Sequence, residues 1–316
     1  MSALLGLLFA VSSTAAQPQQ SHPGSSAADT IVVEGRRTKE TANEYIDKLL
    51  PALGTEAQFG RFEDPLCPKA IGLTDDLAAQ VADRVRQVAR AANIRVAAGS
   101  CTPNLLIIAA ADKKAMIETL RKSRPGYLNG VGSDELKRLG NSTRPYVAWQ
   151  VTDELAADGM PIGGGNNLPS GSNGARGGAP TERNHDTFVQ GDFARLKTTV
   201  SPSRIRSTVR PRVLSSVVIV EDRALTNSTV RQLADFALIK AMTPTEEREH
   251  EPPSSSILSL FNPGVTVESG PQSVTWWDLA FLKSLTNTRS DAFADTQRSE
   301  IRDHMLKEIS KVPVQQ

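Results

Sequence analysis

VLSSVVIVEDRALTNSTVRQLADFALIKAM, from Val213 to Met242, joins a buried strand to an amphipathic helix through a short turn. Val213 to Val220 is a brief, β-branched, largely apolar run, the pattern of a strand with little solvent contact. Val230, Leu233, Ala234, Ala237, Leu238 and Ala241 then fall at i, i+3, i+4, i+7, i+8 and i+11. That spacing paints one buried stripe on a helix. Thr226 or Asn227 stands where an N-cap is expected.

Upstream, the elements read as follows. Thr30 to Val33 is a short strand, and Thr41 to Leu50 is a helix stopped by Pro51. Phe59 to Leu73 is extended. Thr74 or Asp75 caps a helix whose apolar face is Leu77, Val81, Val85 and Val88, ending near Asn93. Ile94 to Ala98 and Asn104 to Ala110 are strands. Asp112 opens a helix with Met116, Ile117 and Leu120 inward, and Ser133 to Leu139 forms a shorter one. Arg144 to Val151 is a strand that sets Tyr146, Ala148 and Gln150 against Val147, Trp149 and Val151.

From Gly159 to Asn184 the sequence becomes GMPIGGGNNLPSGSNGARGGAPTERN, too polar and glycine-rich to offset its ordering entropy. It is expected to be a flexible insertion, spanning at most 159–190. Strands resume after it, at Phe193 to Val200 and Val213 to Val220. Past the central helix come a short helical piece at Ser254 to Phe261 and a helix at Thr275 to Leu285, with Thr275 and Asp278 spaced as a capping box. A charged helix from Ser290 to Lys311 closes the chain, with a narrow stripe at Ile301, Met305 and Ile309. The expected fold class is α+β: a mixed sheet with packed helices, one core over residues 30–316 and the Gly-rich insertion within it.

Residues 1–16, MSALLGLLFAVSSTAA, read as a signal peptide cleaved before Gln17, and residues 17–29 as a disordered leader. A buried N-terminal helix is the other reading. The expected location is periplasmic or secreted, and no later run is long and apolar enough to span a membrane. Cys67 and Cys101 are the only cysteines, so in an oxidising compartment they are expected to form a disulfide. Net charge is +1, from 36 basic and 35 acidic residues, which gives no electrostatic basis for binding nucleic acid.

The order of a βα unit, further strands and a strand leading into a central helix is similar to the layout of zincin-type metalloproteases. SSSILSLFN (Ser254–Asn262) and VTWWDLAFLKSLTN (Val274–Asn287) also resemble the tail of a family of uncharacterised secreted proteobacterial proteins. Zincin activity requires two histidines at i and i+4 on the central helix with a glutamate between them, to hold Zn²⁺ and activate its water. This helix instead has Arg231, Gln232 and Asp235. The resemblance therefore implies a zincin-like fold with a degenerate site helix, whose Arg231 and Asp235 would pair across one turn and line the former cleft.

Other chemistry-bearing residues are sparse. The histidines are His22, His185, His250 and His304. Glu300 and His304 are spaced i, i+4, which suits a metal or merely an exposed helix face. Gly163, Gly164 and Gly165 lead into neither a Gly-Lys-Ser/Thr run nor a helix, so no phosphate loop is present. No cofactor and no catalytic residue is expected. Between Asp192 and Glu221 the basic residues meet no acid in sequence, and Arg204, Arg206, Arg210 and Arg212 would share one face of a strand. They form either an anion-binding surface or a charged edge that resists aggregation. The reading is a non-catalytic binding or structural domain, with envelope components as possible partners. The alternatives are a hydrolase with an unrecognised site around the central helix and a binder of anionic polymers through the basic strand.

Overall fold

The strand and helix of residues 213–242 stand at the centre of the protein. The computed structural model describes residues 39–53, 57–156, 159, 207–244 and 251–311. The signal-peptide and leader segments, the strands expected at 30–33 and 193–200, and all of the Gly-rich insertion except Gly159 lie outside them. So do Arg204, Arg206, His22, His185 and His250.

Strand β5 (Val209–Glu221) runs through the middle of a five-stranded sheet. β3 (Leu105–Ala110) lies parallel beside its C-terminal half, from Leu105 opposite Ser216 to Ala110 opposite Glu221. β2 (Pro68–Ile71) is parallel on the outside of β3, and β4 (Tyr146–Ala156) is antiparallel on the other side of β5. β1 (Arg61–Phe62) pairs with β5 further back, at Arg212 and Val213. The segment 61–71 thus begins against β5 and then moves outward past β3. Parallel and antiparallel pairings coexist, so the sheet is mixed as expected.

Both faces of this sheet are covered, which is why β3 and β5 read as nearly continuous apolar runs. On one face, Leu105, Ile107, Tyr146, Ala148, Val218 and Val220 join the larger core. That core is completed by α1 (Lys39–Leu49), α2 (Asp75–Ala91), α6 (Val230–Met242), α7 (Trp276–Asn287) and α8 (Ala294–Ser310). On the other face, Leu106, Ile108, Val147, Trp149, Val217 and Ile219 pack against α3 (Lys113–Ser123) and α4 (Ser133–Asn141). The alternation of Tyr146 and Ala148 against Val147 and Trp149 is the one the sequence pattern predicts.

Several local expectations shift. The central helix is capped by Thr229 rather than by Thr226 or Asn227. Asp222–Leu225 forms its own short turn, α5, and Asn227 takes a left-handed φ of 65°, so the chain reverses before the helix begins. Thr229 Oγ1 accepts from the Gln232 amide, and Gln232 Oε1 accepts from the Thr229 amide, a reciprocal capping box. Ile94 to Ala98 is not a full strand and makes only the bridge of Val96 to Leu66. Prolines 65 and 68 flank Leu66 and have no N–H to extend a ladder. On α2, Val81, Val85 and Val88 are fully buried, but Leu77 is 39% exposed because the buried face starts only at Val81.

Gly72 closes the turn from β2 into α2. Its φ is +82°, and a Cβ there would lie 2.0 Å from the Ala109 carbonyl oxygen. Only glycine lets β2 end this close to β3.

The two tail motifs meet in space. Thr275 caps α7 in a capping box with Asp278. The Asp278 carboxylate also accepts from Ser256 Oγ at 2.6 Å and from the Ile257 amide at 2.8 Å, which fixes the 3₁₀ turn Ile257–Phe261. Tyr45 of α1 donates its hydroxyl to the same carboxylate at 2.7 Å and stacks on Trp277 with ring centroids 5.6 Å apart. The serine of the first motif and the aspartate of the second are thus one structural joint. Cys67 and Cys101 are joined as expected, with Cα atoms 6.1 Å apart.

Two measurements check this packing. Burial pushes the Asp278 carboxyl above its ordinary range, against the opposing pull of its donors from Ser256, Tyr45, Ile257 and Thr275. A raised folded-state pKa gives stability that is complete below the unfolded value of about 3.9 and is lost as pH rises through the folded value. Asp278→Asn turns the acceptor that faces the Tyr45 and Ser256 hydroxyls into a donor and should cost about 1–3 kcal/mol. The stability difference between wild type and variant, from urea unfolding, should shrink as pH rises from about 3 to about 7; a growing difference would reverse the assigned direction. Separately, replacing both Cys67 and Cys101 by alanine should cost about 3–4 kcal/mol by loop-closure entropy.

Candidate functional site

The polar residues of α6 are the first candidates, and they turn out to hold the structure together. Asp235 is fully buried. It does not pair with Arg231, one turn away on the helix, whose side chain is exposed. Its partner is Arg84 of α2, which forks onto it through Nε–Oδ1 and Nη2–Oδ2 contacts of 2.8 Å each. Asp235 Oδ2 also accepts from the Val274 amide at 2.7 Å. The reason is burial: a carboxylate facing the core is stable only with a full set of donors, which a flexible exposed arginine one turn away does not supply. Gln232, also buried, donates from Nε2 to the carbonyls of Val267 and Pro271. The expected cleft wall of Arg231 and Asp235 is therefore absent, and α6 is enclosed from Gln232 to Ile239.

The remaining candidates behave similarly. Glu300 is engaged by Arg289 at 2.6 Å rather than forming a metal pair with His304. Burial acts to raise its carboxyl, but hydrogen bonds from Arg289 outweigh that and hold it below the ordinary range. Among the described residues no group of three or more His, Cys, Asp or Glu side chains could hold a metal ion. The basic strand is also answered by acids distant in sequence. Arg210 forks onto Glu63 at 2.9 and 3.1 Å, and Arg212 reaches Asp153, its cross-strand neighbour, at 3.3 Å. The two described arginines of the proposed anion-binding face are thus each ion-paired to an acid.

What the fold does build is a cavity of about 790 Å³ around β1. One wall is Gly60 to Asp64, and another is the end of α7 with the residues that follow, 282 and 285–291. Arg95, Gln150, Arg210, Val213 and Met242 complete it. Its apolar lining keeps some surface exposed at the half-buried Phe62, Ile94 and Met242, while Val213, Leu282 and Leu285 are buried.

Arg61 is the group that sequence reasoning passed over. Its Nη1 donates to Leu285 O at 2.7 Å and to Thr288 O. These are unsatisfied carbonyls at the C-terminal end of α7, where a cation also meets the negative end of the helix dipole. Burial lowers its affinity for the proton, and Arg210 adds to this, while Glu63, Glu300 and Asp291 act the other way. Nothing local marks Arg61 in the sequence, because its partners lie more than two hundred positions away. Chemically, the cavity offers guanidinium and hydroxyl groups beside apolar side chains: it can bind and orient a small molecule.

Arg84→Ala should cost about 3–5 kcal/mol, because it strands the buried Asp235 carboxylate. Arg84→Met combined with Asp235→Leu should recover much of that loss, whereas Arg231→Ala should stay within about 0.5 kcal/mol. Urea unfolding of the three variants checks the assignment, and an Arg231 effect as large as that of Arg84 would restore the expected pairing.

No family model, no curated protein and no solved structure matches this chain.

Proposed function

We propose that the protein is a periplasmic or secreted, non-catalytic binding domain of zincin-like layout, which takes its ligand in the cavity around β1. The observation that carries this reading is the contrast between two polar regions. Around the central helix, Asp235 and Gln232 are consumed by buried structural bonds. Around β1, polar groups and apolar side chains together line open space, the usual make-up of a small-molecule site.

The zincin-like layout is supported by the position of α6. It follows β5 after the short turn α5, packs beside α2 on one face of the sheet, and is accompanied by an antiparallel strand, β4. The location is supported by the paired cysteines, since such a bridge persists in oxidising compartments. Cell-envelope components are natural partners for a domain in that setting.

Zinc titration tests the non-catalytic part. One equivalent of Zn²⁺ should leave the melting temperature unchanged and produce no cleavage of an unstructured protein substrate. Stoichiometric zinc, with cleavage abolished by a chelator, would replace the binding domain by a metallohydrolase whose ligands lie elsewhere in the chain.

A further inference from the structure

Among the described residues the cavity has one half-buried cation, Arg61, that no carboxylate contacts, although Glu63, Glu300 and Asp291 act on it from a distance. Arg210 is forked onto Glu63, Arg289 is held by Glu300, and Arg95 is exposed to water. Arg61 forms no ion pair among the described residues, and only its Nη1 is used, on the α7 carbonyls. Its Nε and Nη2 have no protein partner there, yet neither atom is sealed away from solvent.

These two nitrogens form the side edge of the guanidinium, which presents two parallel N–H donors and matches the two oxygens of a carboxylate. The same molecule uses that edge elsewhere. Arg84 holds Asp235 through Nε and Nη2, at 2.8 Å each. The charge of the lining favours a single negative charge over a doubly charged phosphate. Glu63, Asp64 and Asp291 also border the space and would repel a dianion. The half-buried Phe62, Ile94 and Met242 on the lining keep apolar surface open to solvent, which rewards an apolar body attached to the anionic head. A cavity of about 790 Å³ has the capacity of ordinary small-molecule sites.

We propose that the cavity around β1 binds a small monocarboxylic acid, with its carboxylate forked on the Nε–Nη2 edge of Arg61 and its hydrocarbon part on Phe62, Ile94 and Met242. This rests on the reading of the cavity as the ligand site and adds the chemical class of the ligand. Arg61 then serves two ends at once, closing α7 with Nη1 and receiving the acid with its other edge.

Calorimetric titration of the full chain with hexanoate, hexan-1-ol and inorganic phosphate tests it. Hexanoate should bind one per chain, hexan-1-ol at least tenfold more weakly, and phosphate without saturation. Arg61→Lys keeps the charge and loses the fork, so it should weaken hexanoate at least tenfold and leave hexan-1-ol unchanged. Because Arg61 also closes α7, a second variant, Met242→Trp, fills the cavity from another wall and should weaken both probes. Equal binding of hexanoate and hexan-1-ol, or tighter binding of phosphate, overturns the carboxylate assignment and keeps the cavity as a site. Failure of all three probes to bind overturns the inference and the ligand site together.

Discussion

The carboxylate of Asp278 is buried with no cationic partner among the described residues, and it survives there because five hydrogen bonds converge on it. They come from the Tyr45 and Ser256 hydroxyls, the Ile257 amide, and both the amide and hydroxyl of Thr275. A buried anion without such donors would be expelled or neutralised. Satisfying it obliges three distant pieces of chain to arrive together: the first described helix, the 3₁₀ turn at Ile257–Phe261 and the start of α7. The aromatic cluster of Tyr45, Trp277 and Phe281 then fills the space around it. The layer of helices over one face of the sheet is organised from this point.

A second constraint determines where a ligand has room. In open sheets with parallel strands, the crevice for a ligand usually lies beyond the carboxyl ends of the strands. Here that end is filled. Lys113 is buried behind β3 and donates to the Arg144 carbonyl at 2.8 Å, with Glu221 at 3.5 Å. Glu221 is held below the ordinary carboxyl range by Arg223 and Lys113, although burial opposes this. Free space opens at the start of β5 instead, where β1 rather than β3 is its neighbour. The departure of the 61–71 segment from β5 toward the outside of β3 accompanies the cavity at that end of the sheet.

These features were unequally legible in the sequence. Apolar periodicity announced β3, β5, α6 and the stripe of α8, since burial on a regular element repeats at fixed intervals. The caps at Asp112 and Thr275 were readable because a cap and its target amides sit within three residues. The cysteine pairing was readable because only one pairing exists. The long-range polar contacts were hidden. Arg84 with Asp235, Arg61 with the α7 carbonyls and Arg210 with Glu63 join positions that share no local pattern. The acid-free interval around Arg210 and Arg212 suggested an open basic face, and strand pairing then supplied the missing acids. The helix start was misplaced because Asn227 adopts a backbone conformation that ordinary cap preferences do not foresee.

The bridge between Cys67 and Cys101 has a topological meaning beyond its effect on stability. Its ends are 34 positions apart and enclose β2 and the whole of α2. This part of the molecule is therefore a covalent ring with two exits. Tension applied to the chain on either side passes through the sulfur atoms and bypasses the helix. A single backbone scission inside the ring leaves one connected molecule. Arg84 rides on that ring, so the side chain that steadies Asp235 stays tethered near its partner even after such a cut.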